Sequence, residues 1–156
     1  MRIGLFDSGF GGLTIYGAIH ARLPGYDYVY LGDNARTPYG ERSFETIYRF
    51  TAEAVRFLFA HDCALIVIAC NTASARALRS VQQQLLPGLY PDRRVLGVIR
   101  PCAEALAALP AGSKVGLWAT SGTVQSQSYP LELAKLRPDL QLVQVCLLYT
   151  SPSPRD

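Results

Sequence analysis

The residues with the strongest claim to chemistry are Cys70 and the small polar side chains that follow it, Asn71, Thr72 and Ser74. They come directly after the apolar run Leu65-Ile66-Val67-Ile68-Ala69, which is rich in β-branched residues and too short to span a bilayer. Such a run reads as a strand buried on both faces of a parallel sheet. Cys70 then stands at the strand's carboxyl end, and Asn71, Thr72 and Ser74 suit the cap and first turn of a helix that continues through Ala75 to Leu78. Free helix amides beside the sulfur favour thiolate over thiol, and they suit an anionic group on a substrate. Most free cysteines, however, are small packing residues, and Cys70 read by position alone is open to that account as well.

Asp7 and Ser8 form a second polar point, at the end of a strand from Arg2 to Phe6. The glycines after them, Gly9, Gly11 and Gly12, miss the dinucleotide pattern because Thr14 stands where its third glycine belongs, and no phosphate-binding P-loop string occurs. The glycines more simply permit a tight turn and close helix packing. Asp7 serves equally as a helix-capping acid or as a catalytic one. A cysteine hydrolase needs a histidine base. His61 precedes the strand that Cys70 ends, a strand length away on the wrong edge, and His20 sits within the first helix. A thiol without a histidine suits proton abstraction better than acyl transfer. Cys63, Cys70, Cys102 and Cys146 are spaced too widely for paired zinc ligands, so no metal is expected, and Cys63 and Cys102 read as packing residues.

The elements that must position these groups follow from the rest of the chain. Its 156 residues, 49% hydrophobic and 17% charged, can form a compact core. The net charge of +3 is scattered, which marks no nucleic-acid surface, and the doublet Arg93-Arg94 reads as a solvated turn. The amino terminus resembles neither a signal peptide nor a membrane helix, so no membrane association and a cytoplasmic location are expected. A helix from Leu13 to about Arg22 follows the first strand, then a strand from Tyr26 to Leu31 and a long loop through Gly40. Ser43 and Thr46 open an amphipathic helix whose apolar positions are Phe44, Ile47, Phe50, Ala54, Phe57 and Leu58. Beyond the Cys70 unit come a strand from Arg94 to Ile99, a helix from Ala103 to Leu109, and a strand from Lys114 to Ala119 ending at Thr120-Ser121-Gly122-Thr123. The repeated order of strand, polar turn and helix predicts an α/β fold, a parallel sheet with flanking helices, with every polar turn on one sheet edge. Pro101 is a candidate marker of passage into a second lobe.

These strings together resemble the aspartate/glutamate racemase superfamily, and within it the bacterial glutamate racemases. The resemblance rests on Phe6-Asp7-Ser8-Gly9 with Gly11-Gly12-Leu13-Thr14, on Tyr30-Leu31-Gly32-Asp33 with Pro38-Tyr39-Gly40, on Ala69 to Ala75, on Gly97-Val98-Ile99, and on Thr120 with Thr123 and Ser126. It covers about Arg2 to Cys146. It implies a cofactor-independent racemase of glutamate that supplies D-glutamate for peptidoglycan, with the site between two α/β lobes, and a homodimer in the longer parent. Cys70 corresponds to one of two catalytic thiols and Asp7 to an acid that assists proton transfer. Ser8, Tyr39, Gly40, Asn71, Thr72, Thr120 and Thr123 correspond to substrate-holding positions.

The resemblance also sets expectations where the chain departs from it. Residues 1-98 would be most of the first lobe and 99-146 an incomplete second one, with 147-156 a foreign Ser/Pro tail on a truncated parent sequence. The family's second thiol lies in a Cys-Thr-His string absent from this sequence, so the chain alone is expected not to racemise. Arg100 stands where many members carry an acid, and is expected to alter the crossing between lobes. An aspartate racemase, a racemase-derived binding protein without chemistry and, more distantly, a cysteine hydrolase are the alternatives.

Overall fold

The computed structural model describes residues 1–147. All strand pairs in it are parallel. β1 (Arg2–Asp7), β2 (Asp27–Gly32), β3 (Cys63–Ile68) and β4 (Arg94–Gly97) form one sheet in the order β2-β1-β3-β4. β5 (Lys114–Ala119) and β6 (Gln141–Cys146) form a second, two-stranded sheet. The α/β reading is therefore met, with the strands divided between two sheets. The helices are α1 (Gly12–Arg22), α2 (Phe44–Ala60), α3 (Asn71–Arg76), α4 (Leu78–Ser80), α5 (Leu86–Leu89), α6 (Ile99–Ala107), α7 (Ser121–Ser126) and α8 (Ser128–Leu136). None of the described helices is long and apolar enough to cross a membrane.

The amphipathic helix forms where expected, with the Ser43 hydroxyl accepting from Thr46 N at 3.2 Å as its N-cap. Ile47, Phe50, Ala54, Val55 and Leu58 recur at helical spacing and bury against the first sheet. Phe44 and Phe57, expected on that face, are exposed. Phe44 is the helix's first residue, and Phe57 lies on the flank and stacks on His61 instead, ring centroids 4.2 Å apart.

Other boundaries shift for identifiable reasons. The fourth strand stops at Gly97, where a side chain would meet Ser74 Oγ and Leu78, and Val98 is already helical, so Ile99 opens α6 instead of ending β4. Pro101 falls in the first turn of α6, where its missing N–H has no helical partner to lose. The helix after Cys70 breaks at Ala77 (φ −117°) and resumes as α4, a π-helical turn over Val81–Leu85, and α5. Helix α8 and strand β6, absent from the sequence reading, complete the second unit: Ala103 of α6 packs on Leu133 and Leu140, with Val115 and Leu142 beneath. Arg100 pairs with Glu104 one turn along α6 (2.8 Å) and joins α6 to α8 through Glu132 (3.1 Å). Of the Ser/Pro tail, Leu147 still donates its N–H to Ala119 O at 2.8 Å, and residues 148–156 lie outside the described ones.

Arg93 is not a solvated residue. Its guanidinium donates to the carbonyls of Cys63 and Phe59 and lies 5.4 Å from the Phe59 ring, tying the end of α2 to the start of β3. Arg93→Ala removes the side-chain donor to Cys63 O, while Phe59 O keeps its bond from Asp62 N at 3.1 Å, and it is expected to lower stability by about 1–2 kcal/mol in urea unfolding, whereas Arg94→Ala, on an exposed side chain, is expected to change little.

Candidate active site

Parallel register brings the first two polar points together. Phe6 pairs with Ile68, and Ala69 N donates to Phe6 O at 2.8 Å, so Ser8 and Cys70 emerge side by side at the strands' carboxyl ends. Cys70 is extended (φ −85°, ψ 123°) and is itself the N-cap of α3. Its sulfur accepts from Ala73 N at 3.4 Å and lies 3.1 Å from Ser8 Oγ. The thiol is buried, and burial pushes it up from its ordinary value, outweighing the Ser8 hydroxyl and the Ala73 amide that pull it down. The expected preference for thiolate is thus reversed in the free site, because desolvation acts on the charged form more strongly than one short helix terminus does. Alkylation of Cys70 should accordingly show a half-maximum displaced above the value of about 8.5 typical of free cysteine. Ser8→Ala removes a stabilising bond to the thiolate and should displace it further; a profile moved toward neutral would contradict the geometry.

Asp7, also buried, tethers a helix start as the capping reading expected, and it stands where the catalytic reading would need it. Its Oδ2 accepts from Gly12 N at 2.9 Å and from the Tyr30 hydroxyl at 3.4 Å, which tethers the start of α1, and the residue also faces the cavity beside Cys70. A side chain at Gly12 would stand 2.7 Å from Asp7 Cβ, which explains a glycine at this close approach. Burial, then the Asp7 charge and hydrogen bond, push the Tyr30 phenol up to about 12, so it remains a donor.

The opposite wall comes from the second sheet. Thr120 follows β5 and caps α7 by accepting from Thr123 N (3.4 Å), and its hydroxyl is 3.2 Å from Thr123 Oγ1 and 2.9 Å from Thr72 Oγ1. That last bond links the end of the first sheet to the end of the second. Between them lies a cavity of about 400 Å³ lined by Asp7, Cys70, Asn71, Thr72, Thr120 and Thr123 among others. Three expected residues stand behind this lining. Ser8 bonds the sulfur. Tyr39 is buried with its hydroxyl on Asp33. Gly40 receives Gly122 N at 2.9 Å and Ser121 Oγ at 3.0 Å on its carbonyl. A larger depression of about 560 Å³ runs along α2 and contains none of these groups.

The sequence reading missed Tyr129 and Trp118, which also line the cavity. Tyr129 is buried in α8 and its hydroxyl donates to Asn71 Oδ1 at 2.7 Å. No local pattern signals it, since its partner lies 58 residues away. His61 binds the Phe57 carbonyl through Nδ1 at 2.8 Å, and His20 on α1 packs against Tyr16 and against Tyr28 of β2, so neither reaches Cys70. Among the described residues no three His, Cys, Asp or Glu side chains converge as a metal site. The arrangement offers one thiol, one carboxylate and a set of neutral hydroxyl and amide donors.

Residues 10–150 match the family model described as Asp/Glu/Hydantoin racemase. The chain is 46% identical over 144 residues to the glutamate racemase of Paracoccus denitrificans, a match covering 86% of this chain and 52% of that protein. The solved structure of glutamate racemase from Aquifex pyrophilus superposes with a TM-score of 0.85 at 39% identity, covering 98% of this chain and 58% of that one. The Francisella tularensis glutamate racemase in complex with D-glutamate gives 0.78 at 36% identity, covering 92% and 51%. The chain spans about half the length of the curated relatives it matches.

Proposed function

The chain belongs to the Asp/Glu/Hydantoin racemase family, and from the cavity around Cys70 we propose that it is the part of a glutamate racemase that carries one of the two catalytic thiols. The observation that supports this most is the Cys70 sulfur held by Ser8 and Ala73 N at a strand end, beside Asp7, over a cavity otherwise furnished with neutral donors. In this reading the Cys70 thiolate takes the α-proton of glutamate from one face, leaving a carbanion delocalised into the α-carboxylate. A thiol on the other face donates its own proton to that carbon, so the configuration inverts, Cys70 ends protonated and the second sulfur ends as thiolate. Binding of the substrate ammonium near Asp7 and of its carboxylates near Asn71, Thr72, Thr120 and Thr123 supplies donors where charge develops, and Tyr39 and Gly40 join them through the loop that meets Thr120.

Among the described residues Cys70 is the one thiol lining the cavity, and the sequence holds no Cys-Thr-His string. The proposal therefore assigns inversion to the longer parent and not to this chain alone. It also takes residues 1-98 and 99-146 as a first and an incomplete second lobe, a cytoplasmic setting, a parent homodimer, and a role in making D-glutamate for peptidoglycan. Saturating D-glutamate is expected to slow alkylation of Cys70 severalfold, with D-aspartate protecting less. Equal protection by aspartate would transfer the assignment to the shorter acid, and no protection by either would end it.

A further inference from the structure

Tyr129 is the buried polar residue nearest the cavity that the proton transfer leaves without a task. Two features place it. Ser128 Oγ donates to Ala75 O at 3.1 Å, pinning the first turn of α8 onto α3, and the left-handed Gln127 (φ 54°) turns the chain sharply between α7 and α8. The phenol thereby arrives 2.7 Å from Asn71 Oδ1. An amide oxygen only accepts, so at this contact Tyr129 is the donor. The Cys102 thiol neighbours the same hydroxyl, and burial first, then this neighbour, push the phenol above its ordinary range, which keeps the proton in place.

An asparagine side chain presents two chemically opposite ends, and nothing in its shape decides which end faces a ligand. With Oδ1 engaged by Tyr129, Asn71 can offer the cavity only its Nδ2 protons. Released, the amide would be free to turn its carbonyl toward an incoming carboxylate, an arrangement that repels it. Asn71 is exposed at the cavity while Tyr129 is buried, so the constraint runs from the rigid partner to the mobile one.

We infer that Tyr129 is a positioning residue whose hydroxyl holds the Asn71 amide with its NH2 group toward the cavity, so that Asn71 serves as a donor to a substrate carboxylate. The inference rests on the reading of the cavity as a glutamate site. Tyr129→Phe keeps the ring and removes only the hydroxyl. In the 156-residue chain it is expected to weaken D-glutamate binding about five- to tenfold, the range of one hydrogen bond. In the Asn71→Ala background the same change is expected to cost less than about twofold, because its route to the ligand is gone. An equal loss in both backgrounds would show that Tyr129 acts structurally and would overturn the inference. Should no version bind D-glutamate, the site reading fails by itself, and the side-chain amide resonances of Asn71, identified by their loss in Asn71→Ala, decide the remainder. They shift on Tyr129→Phe if the hydroxyl holds the amide, and unmoved resonances overturn the inference.

Discussion

In D2O with L- or D-glutamate, the chain is expected to exchange the α-proton of one enantiomer without inverting it, and Cys70→Ser to reduce that exchange by about 10²–10⁴-fold. The first half follows from the count of thiols at the cavity: one base reaches one face of the α-carbon, and a deuteron returned by the same sulfur restores the same configuration. The second half follows from acidity. A serine hydroxyl at the same cap would keep the hydrogen bonds to Ser8 and Ala73 N, yet its alkoxide is not accessible near neutral pH, so the geometry survives and the base does not. Mass spectrometry of the recovered amino acid reads the exchange, and chiral chromatography reads the configuration. Inversion by the isolated chain would mean that a second acid and base act within it, and exchange unchanged in Cys70→Ser would remove Cys70 from the mechanism.

The second large effect is expected where the two sheets meet. A Cβ at Gly40 would stand 2.8 Å from both Cβ and Cγ2 of Thr120, and one at Gly122 would stand 2.9 Å from the Gly40 carbonyl oxygen. Neither obstacle is the tip of a flexible chain. Thr120 is held by its bonds to Thr72 and Thr123, and the Gly40 carbonyl already accepts two donors. Gly40→Ala and Gly122→Ala should therefore each destabilise the protein by about 1–3 kcal/mol, the cost of overpacking. Trp118 on β5, the single tryptophan, reports the second sheet by fluorescence during urea unfolding. An unchanged midpoint in either variant would mean that the junction yields easily.

What the sequence made legible was local. The strand leading to Cys70 and the Ser43 cap of α2 each rest on neighbouring residues whose preferences agree, and they form as expected. The acidity of Cys70 was misjudged because the amide contribution can be read from Asn71 to Ser74, whereas the opposing burial depends on how α2 and both strand ends close around the sulfur. Arg93 looked solvated because its carbonyl partners at Phe59 and Cys63 are separated from it by about thirty residues of chain. Tyr129 was invisible for the same reason. Strand β6 was missed because Gln141-Leu142-Val143-Gln144-Val145 does not alternate polar with apolar: Val143 and Val145 fall on the exposed face and Gln144 on the inner one.

The hydroxyl bridge from Thr72 to Thr120 joins residues 48 positions apart, and the cavity has walls on both sides of it. Contacts of such separation form late, after each local unit has closed its own loops. The cavity should be among the last features to assemble during folding and among the first lost when the two sheets part. Any ligand that fills it binds only the joined arrangement, so by mass action it adds about 2.7 kcal/mol of stability at a concentration one hundred times its dissociation constant. A shift in the unfolding midpoint with added amino acid would then rank ligands for this cavity without any turnover being observed.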